Sequence, residues 1–194
     1  MSLNFQDALS ISSFAYKYAL PIFLQTDEER GRCLTDDAKA AIKEVTNSTG
    51  TIYVPGGTGA IKEETVEGVF TTNKIQRIWG ENGFDTSNQI ATWMVENNKL
   101  SASTICVANG AEKPKGTDAL ASAALAGKRG GVILLANTNE SCGTTSRTTV
   151  DGTDSKNTLG FLKANAKSIS KAFVLGGTSV MPDAIKADIV KLLG

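Results

Sequence analysis

The sequence predicts an α/β fold made of doubly wound parallel-sheet units with helices on both faces, repeated in tandem. Two observations support this prediction. Short β-branched runs without polar alternation stand between longer helical stretches, which is typical of strands that are buried on both faces of a parallel sheet. The same set of motifs also occurs twice along the chain in the same order. Because crossovers between parallel strands are right-handed, successive helices would cover the sheet.

Three sequence blocks carry the internal repeat. In pairs of first and second copy, they are Asp7–Leu9 with Asp118–Leu120, Pro21–Leu24 with Val132–Leu135, and Ile52–Thr58 with Ala172–Thr178. The aspartate and the first glycine of Gly-Gly-Thr are 49 positions apart in the first copy (7 to 56) and 58 in the second (118 to 176). The additional residues lie in the polar stretch Asn137–Asp154, which predicts a longer loop there.

The second copy predicts alternating strands and helices. The expected strands are Lys74–Trp79, Ser103–Ala108, Val132–Leu135 and Lys171–Leu175, and the expected helices are Asp85–Asn98, Thr117–Lys128, Leu159–Ala166 and Pro182–Leu193. The alanine-rich stretch from Thr117 favours a helix that Gly130-Gly131 ends, and Pro182 suits a first helical turn. In the first copy, Ile22–Leu24 is predicted to be a core strand like Ile133–Leu135.

The repeat predicts two domains, a partial copy at 1–73 and a complete copy at 74–194. The first copy begins at the equivalent of the helix that contains Asp118, so it lacks a counterpart of residues 74–115. A missing strand leaves the edge of a sheet open and apolar surface exposed. We therefore expect either that the chain is a fragment or that a neighbouring chain covers the gap by self-association.

Composition narrows the chemistry. The 20 Lys and Arg residues balance 20 Asp and Glu residues, so no net field favours nucleic acid or an anionic membrane as partner. No apolar run reaches the roughly 18 residues of a membrane span. The chain has no histidine, which excludes histidine-based catalytic and metal sites. Its three cysteines form no Cys-x-x-Cys pair, so a metal site made of cysteines alone has no support in the sequence. No cofactor is predicted; Cys106 is expected to be buried, and Cys33 and Cys142 to be unpaired thiols in matching loops.

Five motifs follow one another in the second copy. They are Arg77–Gly80, Phe84–Ser87, Thr117–Ala121, Val132–Leu135 and Val174–Thr178. In this order they resemble the cell-wall-binding repeat 2 family. The chain departs from the family pattern at Val132, where proline is common, and at Gly83, where arginine is usual.

This resemblance implies Rossmann-like units that attach a Gram-positive surface protein non-covalently to an anionic cell-wall polymer, either teichoic-acid-like or a polysaccharide. Such repeats usually occur in three copies beside a separate effector region, so the chain itself is expected to be non-catalytic. The implied location is extracellular, at the cell wall. Each repeat would offer one weak site, and tandem sites would add avidity.

The Gly-Gly-Thr turns and the repeated aspartates are candidate ligand-binding residues. They are Gly56, Gly57, Thr58, Gly176, Gly177 and Thr178, together with Asp7 and Asp118. Each turn, between a strand and a helix, is suited to bind phosphate through backbone N–H groups, or is a tight turn that needs a positive φ. Each aspartate either orients a ligand hydroxyl at the carboxyl end of a strand or caps a helix.

Basic residues supply the other candidates. Lys17, Lys128 and Arg129 either pair with polymer phosphates or carboxylates, or they lie at solvated helix ends where cations suit the dipole. Arg77 is expected to fork onto Asp85 or Asp118, in a pair that is either structural or ligand-facing. Asp85 and Thr86, from the motif that resembles the family, complete the predicted ligand-binding set.

Two further functions are consistent with the sequence. A small-molecule or nucleotide-binding enzyme on the same fold would need a deep pocket with a perturbed titratable group. The lack of histidine and of a nucleotide fingerprint counts against that function. A purely structural spacer between domains would show no retention by cell walls.

Overall fold

The computed structural model describes residues 5–26, 33–47, 49–110, 116–136 and 158–194. The helices are α1 (Gln6–Tyr18), α2 (Asp36–Thr46), α3 (Glu63–Val66), α4 (Gly83–Glu96), α5 (Thr117–Lys128), α6 (Thr158–Asn165) and α7 (Asp183–Leu193). The strands are β1 (Thr51–Pro55), β2 (Lys74–Ile78), β3 (Thr104–Asn109), β4 (Val132–Ala136) and β5 (Lys171–Val174). The predicted helices and strands of the second copy are all present, with ends that differ by at most two residues.

The described strands form two small parallel sheets. In one, β3 lies between β4 and β5, and Cys106 pairs with Ile133 on one side and Phe173 on the other. In the other, β1 pairs with β2 from Thr51 opposite Lys74 to Pro55 opposite Ile78. The α/β class and the parallel pairing are therefore confirmed.

Strand β3 is the central strand of the larger sheet, and its six residues are therefore all buried. Ile105 and Val107 belong to the main core cluster, whereas Cys106 and Ala108 belong to a second cluster that includes helix α5. Side chains alternate between the two faces of a strand, so β3 carries branched side chains on one face and small ones on the other. Cys106 is buried as predicted.

Helices α1 and α5, which carry the repeated aspartates in their first turns, lie side by side and run parallel. Near the start of both, Leu9 contacts the position that a side chain at Gly116 would occupy. Near their ends, a Cβ at Gly127 would lie 2.7 Å from the Ser13 carbonyl oxygen and 2.7 Å from the Tyr16 ring. Glycine permits this approach because it carries no Cβ.

The predicted core strand at Ile22–Leu24 is wrong. Residues 19–26 form no helix or strand, and Leu20, Ile22 and Leu24 are 39%, 42% and 54% exposed. The matching strand β4 pairs with β3, which satisfies its backbone and helps to bury it. The described part of the first copy contains no counterpart of β3. Without that neighbour, no described strand supplies a partner for the backbone groups of Ile22–Leu24.

Helices α2 and α3 were not predicted. The Thr35 hydroxyl caps α2 by accepting a hydrogen bond from the Ala38 N–H at 3.2 Å. The loop predicted at Asn137–Asp154, and Cys142 within it, lie outside the described residues. Within the described part of the chain, no helix is both long and apolar enough to cross a membrane.

Candidate functional site

The two Gly-Gly-Thr segments form the same turn, each within two residues of the end of a strand. Gly56 and Gly176 have φ values of 122° and 109°, so the first glycine of each turn needs the positive φ that the sequence predicted. The Gly57 carbonyl accepts from the N–H groups of residues 60 and 61, and the Gly177 carbonyl accepts from those of residues 180 and 181.

Neither turn forms a helix N-terminus. Helices α3 and α7 begin at Glu63 and Asp183, five residues after Thr58 and Thr178. The turns therefore do not have the geometry predicted for phosphate binding at a helix N-terminus. Thr58 and Thr178 are both exposed.

Asp7 and Asp118 face the two turns in the same way. A Cβ at Gly56 would lie 2.8 Å from Asp7 Oδ2, and a Cβ at Gly176 would lie 2.8 Å from Asp118 Oδ2. Each aspartate is the second residue of its helix and makes no side-chain capping bond, so the predicted N-cap role is wrong. The acidic charge nevertheless lies in the first turn, where the helix dipole favours it.

Burial raises the pKa of Asp7 to about 6, from an ordinary value of 3.8, because desolvation disfavours its charged form. The carboxyl lies at one end of an apolar groove of about 1330 Å³. Helix α1, residues 19–26, helix α2 and strand β1 form the walls of this groove. Among the described residues that line it, only Asp7 and Lys99 carry a charge.

Arg77 binds Glu67, and not Asp85 or Asp118 as predicted. Its Nε and Nη2 donate to the Glu67 carboxylate at 2.7–3.0 Å. Its Nη1 donates to the carbonyl oxygens of Gly56 (2.9 Å) and Ile61 (3.0 Å). All five N–H groups of the guanidinium are thus used, and they hold the first Gly-Gly-Thr turn against β2.

Asp85 and Thr86 are only 3% exposed and bind the loop before α4. Asp85 Oδ2 accepts from the Glu81 N–H at 2.8 Å, and Thr86 Oγ1 accepts from the Gly80 N–H at 3.0 Å. A Cβ at Gly80 would collide with Asp85, so this glycine is required by the close approach. These contacts give Asp85 and Thr86 of the Phe84–Ser87 motif a structural role, because both side chains hold the loop before α4.

Trp79 was not among the predicted site residues, although its side chain lies beside the first turn. It follows β2, is 58% exposed, and its ring lies 3.6 Å from a Cβ placed at Gly57. A large exposed aromatic side chain is typical of a recognition surface. Its position after β2 was the signal available in the sequence.

The predicted basic residues gather at the opposite end of α1 and α5. Because these helices are parallel, Lys17 and Lys128 lie at the same end, next to the contact between Tyr16 and Gly127. Arg129 lies over the Phe173 ring at 5.5 Å, and Lys171 approaches the same ring at 6.0 Å. We call these four exposed residues, Lys17, Lys128, Arg129 and Lys171, the basic patch.

The basic patch has no carboxylate partner among the described residues, and it is separate from the Gly-Gly-Thr turns. Asp7 and Lys17 are ten residues apart on one helix, which corresponds to roughly 15 Å. The structure therefore does not bring the predicted residues into one site. No group of three or more potential metal ligands occurs in the described ranges.

Comparison with known proteins gives one matching family. The model described as Cell wall binding domain 2 matches residues 1–67 and 77–186. No curated protein matches the chain significantly.

Two solved structures are similar to this fold. Cwp6 from Clostridium difficile aligns with a TM-score of 0.72 and 20% sequence identity, covering 97% of this chain and 26% of that one. Cwp8 from Clostridium difficile aligns with a TM-score of 0.67 and 20% identity, covering 96% of this chain and 27% of that one. The chain thus spans about a quarter of the length of either protein.

Proposed function

The chain belongs to the cell wall binding domain 2 family, and from that premise we propose that it anchors a surface protein non-covalently to an anionic wall polymer. Membership makes it a protein associated with the cell wall at the surface. The polymer, of teichoic-acid or acidic polysaccharide type, would lie across the basic patch. Binding is proposed as the sole activity of this chain, and any catalysis would belong to an effector region.

The basic patch is the observation that carries this proposal. The chain has a net charge of zero, yet four exposed cations meet at one end of two parallel helices without a described carboxylate to neutralise them. Lys171 and Arg129 flank the Phe173 ring, so their charges are held in place by an aromatic surface. Ordered cations of this kind suit repeated phosphates or carboxylates.

The tandem organisation is part of the proposal. Two doubly wound, Rossmann-like repeats at 1–73 and 74–194 are supported by the matched turns and by the equal approach of Asp7 to Gly56 and Asp118 to Gly176. Strand β2 lies in the second repeat by sequence and pairs with β1 of the first. We propose that each repeat contributes its first strand to the sheet of the preceding repeat.

A catalytic role is not favoured by the groove. The pKa of Asp7 is raised to about 6, which suits a general base, but a reaction centre needs further groups that converge on the substrate. Lys99 is the only other charged side chain in the part of the lining that the structure describes, and the remaining described walls are mainly apolar. The groove therefore suits an apolar occupant better than a reacting polar substrate.

Retention on purified walls tests the proposed function. We expect the chain to sediment with intact walls and to remain in solution after acid extraction has removed the anionic polymers. The double variant Lys128→Ala/Arg129→Ala should weaken retention about tenfold or more, because two charge-assisted contacts are lost. Retention that survives acid extraction unchanged would contradict an anionic ligand.

A matched control removes two cations elsewhere. Lys163 and Lys167 are exposed at and after the end of α6, so Lys163→Ala/Lys167→Ala lowers the net charge by the same amount. We expect this variant to be retained like the parent chain. Equal loss in both double variants would show that total charge, and not the basic patch, determines retention.

A further inference from the structure

The apolar groove lies where the second copy holds its central strand. On α5, Ala119 and Ala126 are fully buried against Cys106 and Ala108 of β3. The matching positions on α1 are Ala8 and Ala15, and both line the groove. Helix α1 therefore offers to the groove the same small side chains that α5 packs on β3.

The other two walls also match the neighbours of β3. Strand β5 pairs with β3, whereas β1, its counterpart in the repeat, pairs with β2 alone among the described strands. The residues of β1 line the groove, so the edge of β1 that is not used by β2 faces it. The opposite wall is the exposed segment Leu20–Leu24, whose counterpart in the second copy is β4, the second neighbour of β3.

We infer that the groove binds an extended polypeptide strand with the side-chain pattern of β3. This partner adds to the free edge of β1 and extends the existing β1–β2 sheet. Its residues that face α1 are small, like Cys106 and Ala108, because Ala8 and Ala15 leave room for little else. Its residues on the other face are branched and apolar, like Ile105 and Val107.

Charge and size fit this occupant. Among the described residues of the lining, one carboxyl and one ammonium group are charged, so these residues present no net charge to an uncharged apolar segment. A strand of six residues is roughly 20 Å long, which matches the five residues of β1 with one to spare. Binding would cover the exposed side chains of Leu20, Ile22 and Leu24 and would offer backbone partners to Ile22 and Leu24.

The inference rests on the tandem-repeat part of the proposed function, and a peptide tests it without cell walls. The probe is Ser-Thr-Ile-Ala-Val-Ala-Asn, the sequence of residues 103–109 with alanine in place of Cys106. Trp93 reports on the groove because its ring lies 5.3 Å from that of Tyr53, which lines it. In a Trp79→Phe background, we expect saturable peptide binding that shifts Trp93 emission and raises Tm.

Two controls decide the result. A peptide with phenylalanine at both alanine positions should bind about tenfold more weakly or worse, because bulky side chains collide with Ala8 and Ala15. In the chain, Leu24→Lys should weaken binding, whereas Leu120→Lys, at an exposed leucine outside the groove, should not. Equal binding of both peptides, or no effect of Leu24→Lys, would overturn the inference.

Other occupants give different results. If a second copy fills the groove, sedimentation shows a dimer at rising concentration that the peptide does not dissociate, and the inference is wrong. If a lipid-like ligand fills it, detergent and not peptide raises Tm, and the inference is again wrong. Loss of wall retention with intact peptide binding would instead contradict the proposed wall function alone.

Discussion

Arg77 shows how a residue that suggests a ligand contact can serve the fold instead. Its side chain is 13% exposed, and its five donors reach Glu67 and two carbonyl oxygens of the first turn. Lysine at this position keeps the charge but loses the planar fork. We expect Arg77→Lys to lower the free energy of unfolding by about 2–3 kcal/mol in urea denaturation, since Glu67 and both carbonyls lose partners.

The control for Arg77 is an exposed ion pair. Lys186 lies 3.6 Å from Asp183, whose side chain is 79% exposed, so Lys186→Ala should change the free energy of unfolding by less than about 0.5 kcal/mol. If Arg77→Lys leaves stability unchanged but abolishes wall retention, Arg77 contacts the polymer and the structural interpretation fails.

Asp7 predicts a pH dependence of stability. Its pKa in the folded chain is about 6 against 3.8 in the ordinary state, so between these values the folded state binds the proton more tightly. Stability attributable to Asp7 is therefore present below about pH 4, falls as pH rises to 6, and then stays low. The cost of the buried charge outweighs the favourable dipole of α1.

We expect Asp7→Asn to be more stable than the parent chain at pH 7 by roughly 1–3 kcal/mol, with the difference disappearing near pH 4. Thermal unfolding between pH 4 and 8 measures it. Asp37→Asn is the control, because Asp37 is an exposed carboxylate in the first turn of α2. A destabilised Asp7→Asn at pH 7 would mean that a contact holds the carboxylate charged.

At the scale of the elements, the contact between α1 and α5 joins the two proposed repeats. In an open helix, Gly127→Ala would stabilise by about 1 kcal/mol through helix propensity. Here the new Cβ would lie 2.7 Å from the Ser13 carbonyl oxygen, a backbone atom that cannot move without shifting α1. Overpacking costs about 1–3 kcal/mol, so we expect a net loss of stability, measured by the urea midpoint.

Gly59→Ala is the matched change for this helix contact. No atom lies within 4 Å of a Cβ at Gly59, so this variant should unfold within about 0.5 kcal/mol of the parent chain. If Gly127→Ala is as stable as Gly59→Ala, the helices separate at little cost, and the contact does not hold the copies together.

The elements also show what local sequence could predict. Helix α5 and strand β3 were predicted within one residue because alanine content and β-branching act locally. Pro21–Leu24 has the composition of β4 but lacks a neighbouring strand, and pairing is not encoded in the segment itself. Likewise, Arg77 meets Glu67 only because β1 and β2 pair, so sequence spacing could not identify that partner.

At the scale of the molecule, the predicted site residues separate into two ends. Asp7, Asp118 and the Gly-Gly-Thr turns lie where the strands end, and the basic patch lies where α1 and α5 end. Lys17, Lys128 and Arg129 were candidates from the sequence, whereas Lys171 was not. The sequence does not show the direction of the helices, which is what separates the two ends. Among the described residues, the basic end combines cations from both proposed repeats, which makes it the proposed polymer contact.

That arrangement predicts avidity. A polymer with repeated anionic groups can occupy several basic patches at once, and each additional contact is then intramolecular. Two copies of the chain joined by a flexible Gly/Ser linker should therefore bind walls about 100-fold more tightly than one, measured by retention at increasing salt. Salt should weaken the joined chains more steeply, because twice as many charge contacts are screened.

A joined pair with one defective patch separates avidity from size. If Lys128→Ala/Arg129→Ala is introduced into one of the two joined chains, its basic patch cannot contribute. Retention should then return close to that of a single chain. The linker and the mass of the pair are unchanged, so neither can account for the loss. Equal retention of the intact pair and the single chain would mean that one patch saturates the contact, and the multivalent mechanism would fail.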